Sequence, residues 1–366
     1  MRFRPRVLAA WAAGVLAAGV SPAAAQSGDG YLRISFIDVG QGDAIWIQGP
    51  DEDDGTPGGN LIIDGGPDRG KKNRVLKYLQ AQSYALQAGE AIDCIVATHP
   101  HDDHYPGLMD VLDTYEVRQI IDSGFPKERT TESGALSRFE RFRQLALKER
   151  ADGRPSQFIE LRQTTDRNLR CGNLEARIIH ADAASLANMG SGNTRENNAS
   201  TVLQLEFGAF TFLFMGDAEG KERGDSADTT EYVEDLLLQK AASDPDLLRA
   251  DVLKVGHHGS ETGSSLKFIR AVQPAVIVIM SGRKRFSGTF LPDQAVIDRY
   301  RRENSGLVVV RTDEDDARQR RDTTNDQDGD DVYMYTDGES LRVFKAVGTT
   351  GRRVWRRVTT IQKDAP

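Results

Sequence analysis

Apolar runs and amphipathic segments alternate along most of the chain. The run lengths and the period-two spacing predict β-strands at 31–38, 44–48, 60–63, 92–97, 174–180, 201–206, 211–215, 252–255 and 275–280. Helical spacing predicts α-helices near 72–82, 232–241, 265–272 and 293–302. Two β-rich halves with helices outside them are typical of an α/β fold, and we predict an αββα sandwich.

Two segments depart from this alternation. Residues 123–156 resemble an insertion between the two halves. Residues 312–331 form the most polar stretch, rich in Asp and Arg, and we predict a mobile loop there. The length from 26 to 366 suits a single large domain.

The first residues have the pattern of a secretory signal peptide. Arg2, Arg4 and Arg6 precede an apolar run over 7–20, and small residues follow up to Ala25. About 14 apolar residues are too few to cross a bilayer, for which about 20 are needed. We therefore expect cleavage after Ala25, a periplasmic or secreted mature protein, and no stable membrane insertion after cleavage.

Charge restricts the function classes. The formal net charge is −8, and loss of the three leading arginines makes the mature chain more acidic. A protein that coats nucleic acid non-specifically is therefore disfavoured. Basic clusters at 283–285, 318–321 and 352–357 are interpreted as solvated faces in preference to binding patches.

The chain has two cysteines, Cys94 and Cys171. Export would permit a disulfide between them. Because Cys94 lies in an apolar run that predicts a buried strand, a buried free thiol is the favoured interpretation.

Five of the six histidines fall into two clusters. His99, His101, Asp103 and His104 follow directly after the strand predicted at 92–97. Side chains two apart in an extended segment point the same way, so His99 and His101 can share one metal ion. Asp103 and His104 lie at the turn into a helix and can face a second ion. The ends of strands are where α/β sheets place their ligands.

This HxHxDH pattern is similar to the signature of the metallo-beta-lactamase superfamily. Four further motifs resemble the soluble hydrolase domain of the DNA-uptake protein ComEC and its stand-alone relatives: FIDVGQGDAI from Phe36, IDGG from Ile63, FMGDAE from Phe214 and LKVGHHGS from Leu253. They span most of residues 31–345 in the order of that family. The resemblance implies an αββα metallo-β-lactamase sandwich that binds two divalent metal ions, with zinc favoured over manganese.

The resemblance also implies roles for single residues. Asp217 corresponds to the carboxylate that bridges the two ions, and His258 to the final histidine ligand. His257 is then free for substrate or proton transfer, although the two adjacent histidines could exchange roles because neighbouring side chains diverge. The expected catalytic residues are His257 and Asp103. The expected metal ligands are His99, His101, Asp103, His104, Asp217 and His258.

Three aspartates belong to the surroundings of this site. Asp64 corresponds to a residue that orients the metal loop without binding the ion. Asp38 and Asp43 have either the same role or that of holding the turn at 40–42.

The sequence departs from true β-lactamases at one ligand. Where those enzymes have another histidine before a strand, this chain has Asn197 and Asn198. An amide is a poor zinc ligand, so the first ion would keep fewer protein ligands. His180 is an alternative ligand, but a turn at the end of its strand is the favoured interpretation.

These features predict an exported metal-dependent hydrolase, a phosphodiesterase or nuclease that activates water between two ions. The expected substrate is a phosphodiester, possibly DNA. A hydrolase of a lactone, thioester or lactam is disfavoured by the asparagines. A non-catalytic binding protein on the same fold is disfavoured by the intact ligand set.

Overall fold

Two β-sheets lie face to face in this computed structural model. It describes residues 30–53, 55–81, 86, 90–128, 130–151, 157–161, 167–181, 189–282, 285–286, 289–314, 329–347 and 354–363. The first sheet contains, from edge to edge, β18 (Val354–Gln362), β17 (Ser340–Val347), β16 (Val332–Thr336), β1 (Leu32–Phe36), β2 (Ile45–Gln48), β3 (Asn60–Ile63), β4 (Ile92–Ala97), β5 (Val117–Asp122) and β6 (Gln157–Glu160). The second contains β15 (Val308–Arg311), β12 (Val276–Ile279), β11 (Val252–Lys254), β10 (Phe210–Phe214), β9 (Val202–Phe207), β8 (Leu174–His180) and β7 (Arg167–Cys171).

Helices cover the outer face of each sheet. The first sheet carries α1 (Arg74–Ala81), α2 (Pro106–Thr114) and α3 (Arg138–Ala151), and the second carries α5 (Tyr232–Ala241), α6 (Leu266–Val272) and α7 (Gln294–Glu303). A short α4 (Gly192–Asn197) precedes β9, and β13 (Arg285–Phe286) and β14 (Thr289–Phe290) form a small hairpin. The predicted αββα sandwich is confirmed.

Burial explains why the central strands are apolar without alternation. In β4, Cys94 and Val96 face the other sheet, whereas Ile95 and Ala97 face the helices. Strands β3 to β6 run parallel to one another, as do β10, β11, β12 and β15. Parallel strands that are covered on both faces have such continuous apolar runs. The loops that follow the carboxyl ends of these strands carry the residues of the site described below.

The interpretation of 123–156 as an insertion is wrong for the residues that the structure describes. Helix α3 buries Phe139 and Phe142 on the outer face of the first sheet. Their rings lie 5.0 and 5.7 Å from that of Tyr105, which precedes α2. The i, i+3 spacing of the two phenylalanines was the available signal for this helix.

The expectation of a free thiol is also wrong, because Cys94 and Cys171 form a disulfide with Cα atoms 5.5 Å apart. Both side chains lie between the sheets, one from β4 and the other from the end of β7. Their contact depends on how the two sheets are packed, and a strand pattern does not reveal that.

The predicted signal peptide, residues 1–25, lies outside the described residues, as do residues 315–328 of the predicted mobile loop. The described ends of that loop are packed into the protein. Thr312, Asp330 and Asp331 are buried, and Asp331 lies 3.4 Å from the Arg74 guanidinium. Among the described residues, no helix is long and apolar enough to span a membrane.

Candidate metal centre

The clustered polar residues follow three strands that end at the same side of the sandwich. His99 and His101 come after β4, Asp217 after β10, and the pair His257 and His258 after β11. Each strand is buried, so its end fixes the start of the loop that carries these side chains. The fold therefore brings together residues that are up to 159 positions apart in the sequence.

Asp217 lies at the centre of this group. Its Oδ2 is 3.1 Å from Nε2 of His258, 3.2 Å from Nε2 of His104 and 3.8 Å from Nε2 of His99. The side chains of all four residues are at most 2% exposed. Three imidazoles thus turn the same ring nitrogen towards one carboxylate.

The outer nitrogens of two rings are held by fixed acceptors. His104 donates from Nδ1 to Asp64 Oδ2 over 2.8 Å, and His258 donates from Nδ1 to the Met280 carbonyl over 2.8 Å. These bonds fix the tautomer and leave Nε2 free to face Asp217. Asp64 therefore occupies the orienting position that the sequence predicts for it.

The other two histidines are held in the same manner. His99 has Nδ1 at 3.1 Å from the Thr98 hydroxyl, so its Nε2 points inward, 3.1 Å from Nδ1 of His101. The opposite nitrogen of His101, Nε2, is 3.1 Å from a carboxylate oxygen of Glu196, which is itself paired with Lys127. Sequence reasoning missed Glu196, because α4 is short and has no apolar pattern.

These atoms fit divalent metal ions. Two groups have atoms close enough to share an ion: His99, His101 and Asp217 form the first, and Asp43, His104, Asp217 and His258 form the second. In the described part of the chain, the buried Nε2 atoms of His104 and His258 and Oδ1 of Asp217 have no partner with hydrogen-bond geometry. Buried polar atoms are rarely left without a hydrogen-bond partner. Converging imidazole and carboxylate donors are what zinc and similar ions bind.

Asp103 lies at the rim of the second group. Its carboxylate oxygens are 3.6 Å from Nε2 of His258 and 3.9 Å from Nε2 of His104, and its side chain is 19% exposed. It therefore faces both the expected second ion and the open pocket.

Asp43 lies near the same histidines but on their outer side. Its Oδ1 is 3.4 Å from Nδ1 of His258, which is the nitrogen that faces away from Asp217, and its Oδ2 pairs with the buried ammonium of Lys254. The Lys254 Nζ also donates to the Gly216 carbonyl and lies 3.8 Å from Asp217 Oδ1. We assign Asp43 and Lys254 to the support of the loop that carries Asp217.

The charges in this cluster balance one another. Although burial disfavours charged imidazole, the Asp217 carboxylate raises the pKa of His104 and of His258 well above the usual value. Against burial, the same two imidazoles, His258 foremost, hold the pKa of Asp217 well below its usual value. Burial and then His104 lower the pKa of His99, which favours the neutral form that binds metal.

The two adjacent histidines have different surroundings, and this decides between the roles left open by the sequence. His258 is buried beside Asp217, whereas His257 is 24% exposed and lines the pocket. Both residues have left-handed backbone, with φ of 45° and 53°. His257 Nδ1 is 2.8 Å from the buried carboxylate of Glu219. Glu219 was not predicted, although it ends the FMGDAE motif.

The two asparagines also differ. Asn197 lines the pocket and donates to Glu219 over 2.8 Å, and its Oδ1 is buried without a hydrogen-bond partner among the described residues. Asn198 is turned away from the pocket, and its side-chain amide donates to the Met189 carbonyl over 3.1 Å. His180 lies against the Asn198 carbonyl, 3.2 Å away, and in neither group of metal-binding atoms.

A pocket of about 570 Å³ opens above these residues. Its walls include Asn197, Glu219, Arg223, His257 and Leu291. The Arg223 guanidinium is held by Asp293 at 2.9 Å and by the Ser260 hydroxyl at 3.0 Å. The pocket thus has charged side chains among its lining residues and lies directly over the candidate metal-binding atoms.

Comparison with known proteins agrees with this geometry. Residues 37–182 match the family model described as the metallo-beta-lactamase superfamily. Over this segment the chain resembles that superfamily. Its relatives include ComE operon protein 3 of Bacillus subtilis (strain 168), 25% identical over 300 residues that are 79% of this chain and 33% of that protein. Recombination protein 2 of Haemophilus influenzae is 25% identical over 279 residues, 75% of this chain and 27% of that protein.

The resemblance to ComEC-like competence proteins is thereby confirmed, and the chain spans about a third or less of the length of these relatives. Among solved structures, MEM-A1, a subclass B3 metallo-beta-lactamase from a soil metagenome library, is 13% identical. The match covers 75% of this chain and 90% of that one, with a TM-score of 0.35. The comparisons thus place the likeness at the level of the superfamily.

Proposed function

We propose that this hydrolase cleaves phosphodiesters, with nucleic acid as the substrate class, and that it uses two divalent ions, zinc or alternatively manganese. The observation that carries the proposal is the pair of donor groups that share Asp217 at the floor of an open pocket lined in part by charged side chains. His99 and His101 would hold the first ion, and Asp103, His104 and His258 the second. When bound, such a pair supplies Lewis acidity to a phosphoryl oxygen and lowers the pKa of a water molecule.

The side chains of the pocket have complementary tasks in this proposal. Nδ1 of His257 lies 2.8 Å from the Glu219 carboxylate and 3.0 Å from the Thr262 hydroxyl. We therefore assign Nε2, which lies 3.4 Å from the Asn197 amide nitrogen, to the substrate. We assign to His257 the positioning of the leaving oxygen and the proton that it needs. Asp103, with one face towards the ligands and the other towards the pocket, is placed to orient the attacking water.

The choice of a phosphodiester rests on two supports. Asn197 stands where β-lactamases have a third histidine ligand, which leaves the first group more open to a charged phosphate oxygen. The relatives are a recombination protein and a ComE operon protein, names that fit nucleic acid as a substrate.

We further propose that the protein is exported to the periplasm or secreted. The Arg-flanked apolar run over 7–20 supports this. The Cys94–Cys171 disulfide supports it independently, because disulfides persist mainly in oxidising compartments.

Activity of the purified protein tests this function. After loading with zinc or manganese, it is assayed with bis-p-nitrophenyl phosphate, single-stranded DNA, double-stranded DNA and nitrocefin. We expect cleavage of the phosphodiesters, its loss in His101→Ala and Asp217→Ala, and its retention in large part in His180→Ala, whose ring lies outside the donor groups. Absence of phosphodiester cleavage in metal-loaded wild type would overturn the proposal.

A further inference from the structure

Basic residues are concentrated in one segment of this acidic chain. Residues 340–363 contain seven Lys or Arg and no Asp or Glu, although the whole chain has a net charge of −8. Its described parts, Ser340–Val347 and Val354–Gln362, form β17 and β18, and β18 is the edge strand of the nine-stranded sheet. A charge of this density on one sheet edge attracts a polyanion.

Three of these cations already have acidic partners inside the protein. Lys345 pairs with Glu314 and Asp330, Lys363 pairs with Asp251 at 2.6 Å, and Arg342 lies 3.8 Å from Asp337. Arg356 and Arg357, in the middle of β18, are exposed and have no ion pair with any residue in the described ranges. Arg357 shares a face with Phe344 and is available to a ligand there, whereas Arg356 pairs with Lys345 on the opposite face.

Aromatic rings lie on the same face as part of this charge. Tyr335 and Phe344 are stacked with centroids 5.6 Å apart, and the Arg342 guanidinium lies 5.3 Å above the Tyr335 ring. Trp355 of β18 packs at 5.7 Å from Tyr333 in the same row. Trp355 and Tyr335 are half-buried, so part of each ring faces solvent, whereas Tyr333 and Phe344 are buried against them.

The register places an arginine beside these rings. Arg357 pairs with Phe344, and Arg342 pairs with Thr360 across the two strands. Paired residues in an antiparallel ladder point to the same face, so Arg342 and Arg357 flank the aromatic row. Rings interleaved with arginines on an open sheet are a means of binding single strands, because bases stack on the rings and phosphates pair with the arginines.

We propose that the β17–β18 hairpin is an accessory surface that binds single-stranded nucleic acid. The proposal rests on the proposed function and deepens it, since it adds a binding surface for the substrate outside the pocket. The aromatic row favours nucleic acid over an anionic lipid surface, for which the arginines alone would suffice. Exposed apolar residues are few here, with Val354 and Val358 as the largest on β18.

Binding is measured with metal-free protein in EDTA, so that cleavage does not interfere. The probe is a fluorescein-labelled 15-nucleotide oligothymidylate, titrated at 50 mM NaCl and followed by anisotropy. We expect Arg357→Gln to weaken binding by about threefold or more, and the slope of log affinity against log salt to fall by about 0.7, the value for one lost phosphate contact. The matched control is Arg301→Gln, an exposed arginine near the end of α7, which should bind as wild type does.

Tryptophan fluorescence gives a second readout. Trp46 is fully buried, whereas Trp355 is half-buried on the proposed surface. Unlabelled oligothymidylate should therefore quench the emission of wild type, and Trp355→Phe should bind with less than threefold loss of affinity but lose the quenching. Thermal unfolding of each variant shows whether it is folded.

Three outcomes would overturn the inference: no binding by wild type at 100 µM protein, equal weakening by the α7 control, or quenching that persists in Trp355→Phe. Hairpin-dependent binding to phosphatidylglycerol vesicles without binding to the oligonucleotide would assign the surface to a membrane instead. Hydrolysis of bis-p-nitrophenyl phosphate, which is too small to reach the hairpin, separates this result from the proposed function. Intact oligonucleotide binding without any hydrolysis would overturn the proposed function alone.

Discussion

Glu196→Gln tests whether the carboxylate behind His101 strengthens metal binding at the first donor group. In the native protein, a Glu196 oxygen is 3.1 Å from Nε2 of His101, and both side chains are less than a fifth exposed. His101 then has Nδ1 as its inward atom. The contact is at ion-pair distance but lacks hydrogen-bond geometry, so we take the lower part of each range, about 1.5–2 kcal/mol for a charged partner and about 0.5 kcal/mol for a neutral one.

Glutamine keeps an acceptor oxygen and removes only the charge. The expected loss is therefore about 1–1.5 kcal/mol, or about five- to fifteenfold in metal affinity at one of two sites. The assay is a zinc titration of metal-free protein against a competing chelator, with cobalt absorption spectra to distinguish the sites. Glu303→Gln, which removes the partner of Arg270 on α7, is the control. Unchanged affinity at both sites, within twofold, would refute the role of Glu196.

Three further predictions follow from other parts of the structure. Reduction of the Cys94–Cys171 disulfide, which joins residues 77 positions apart, should lower the free energy of unfolding by about 2–4 kcal/mol in urea titrations, and a change below about 1 kcal/mol would contradict this. Burial and the neighbouring Asp331 raise the pKa of Asp38 from 3.8 to about 7. Between these two values the folded state keeps a proton that the unfolded state loses. The stability that this group contributes is therefore lost as the pH rises from about 4 to 7. Asp38→Asn should flatten that part of the stability profile of metal-free protein, and an unchanged profile would exclude the effect. Wild type should turn over bis-p-nitrophenyl phosphate at least about a hundredfold faster than nitrocefin, a difference of about 2.7 kcal/mol in transition-state stabilisation. Asn197→His should reduce the ratio of these two rates. Equal rates in wild type would argue against a phosphodiesterase.

The sequence predicts the strands well where a short apolar run is bounded by turn residues on both sides. The predicted 60–63, 92–97 and 174–180 coincide with β3, β4 and β8, because their apolar runs are bounded by turn residues. It fails at the disulfide for a physical reason: the contact of Cys94 with Cys171 joins segments distant in the chain and has no local pattern. At α3 the only local signal is the i, i+3 spacing of Phe139 and Phe142, and their burial depends on the packing of the helix on the sheet.

The candidate site divides in the same way. Histidines in HxHxDH and HHGS are recognisable because several ligands lie within a few residues. Glu196 and Lys254 are isolated charged residues in the sequence and become part of the site only through the sandwich. The distinction between His257 and His258 required the left-handed backbone that turns one ring inwards and the other to the pocket.

Metal content measured by mass spectrometry tests the central claim most directly, namely that two ions share Asp217. After dialysis with zinc and removal of the excess, wild type should retain close to two ions per chain, and Asp217→Ala should retain fewer than one. His180→Ala, whose ring lies outside both donor groups, should retain two. A wild-type protein that retains none, or an Asp217→Ala variant that still retains two, would contradict the account.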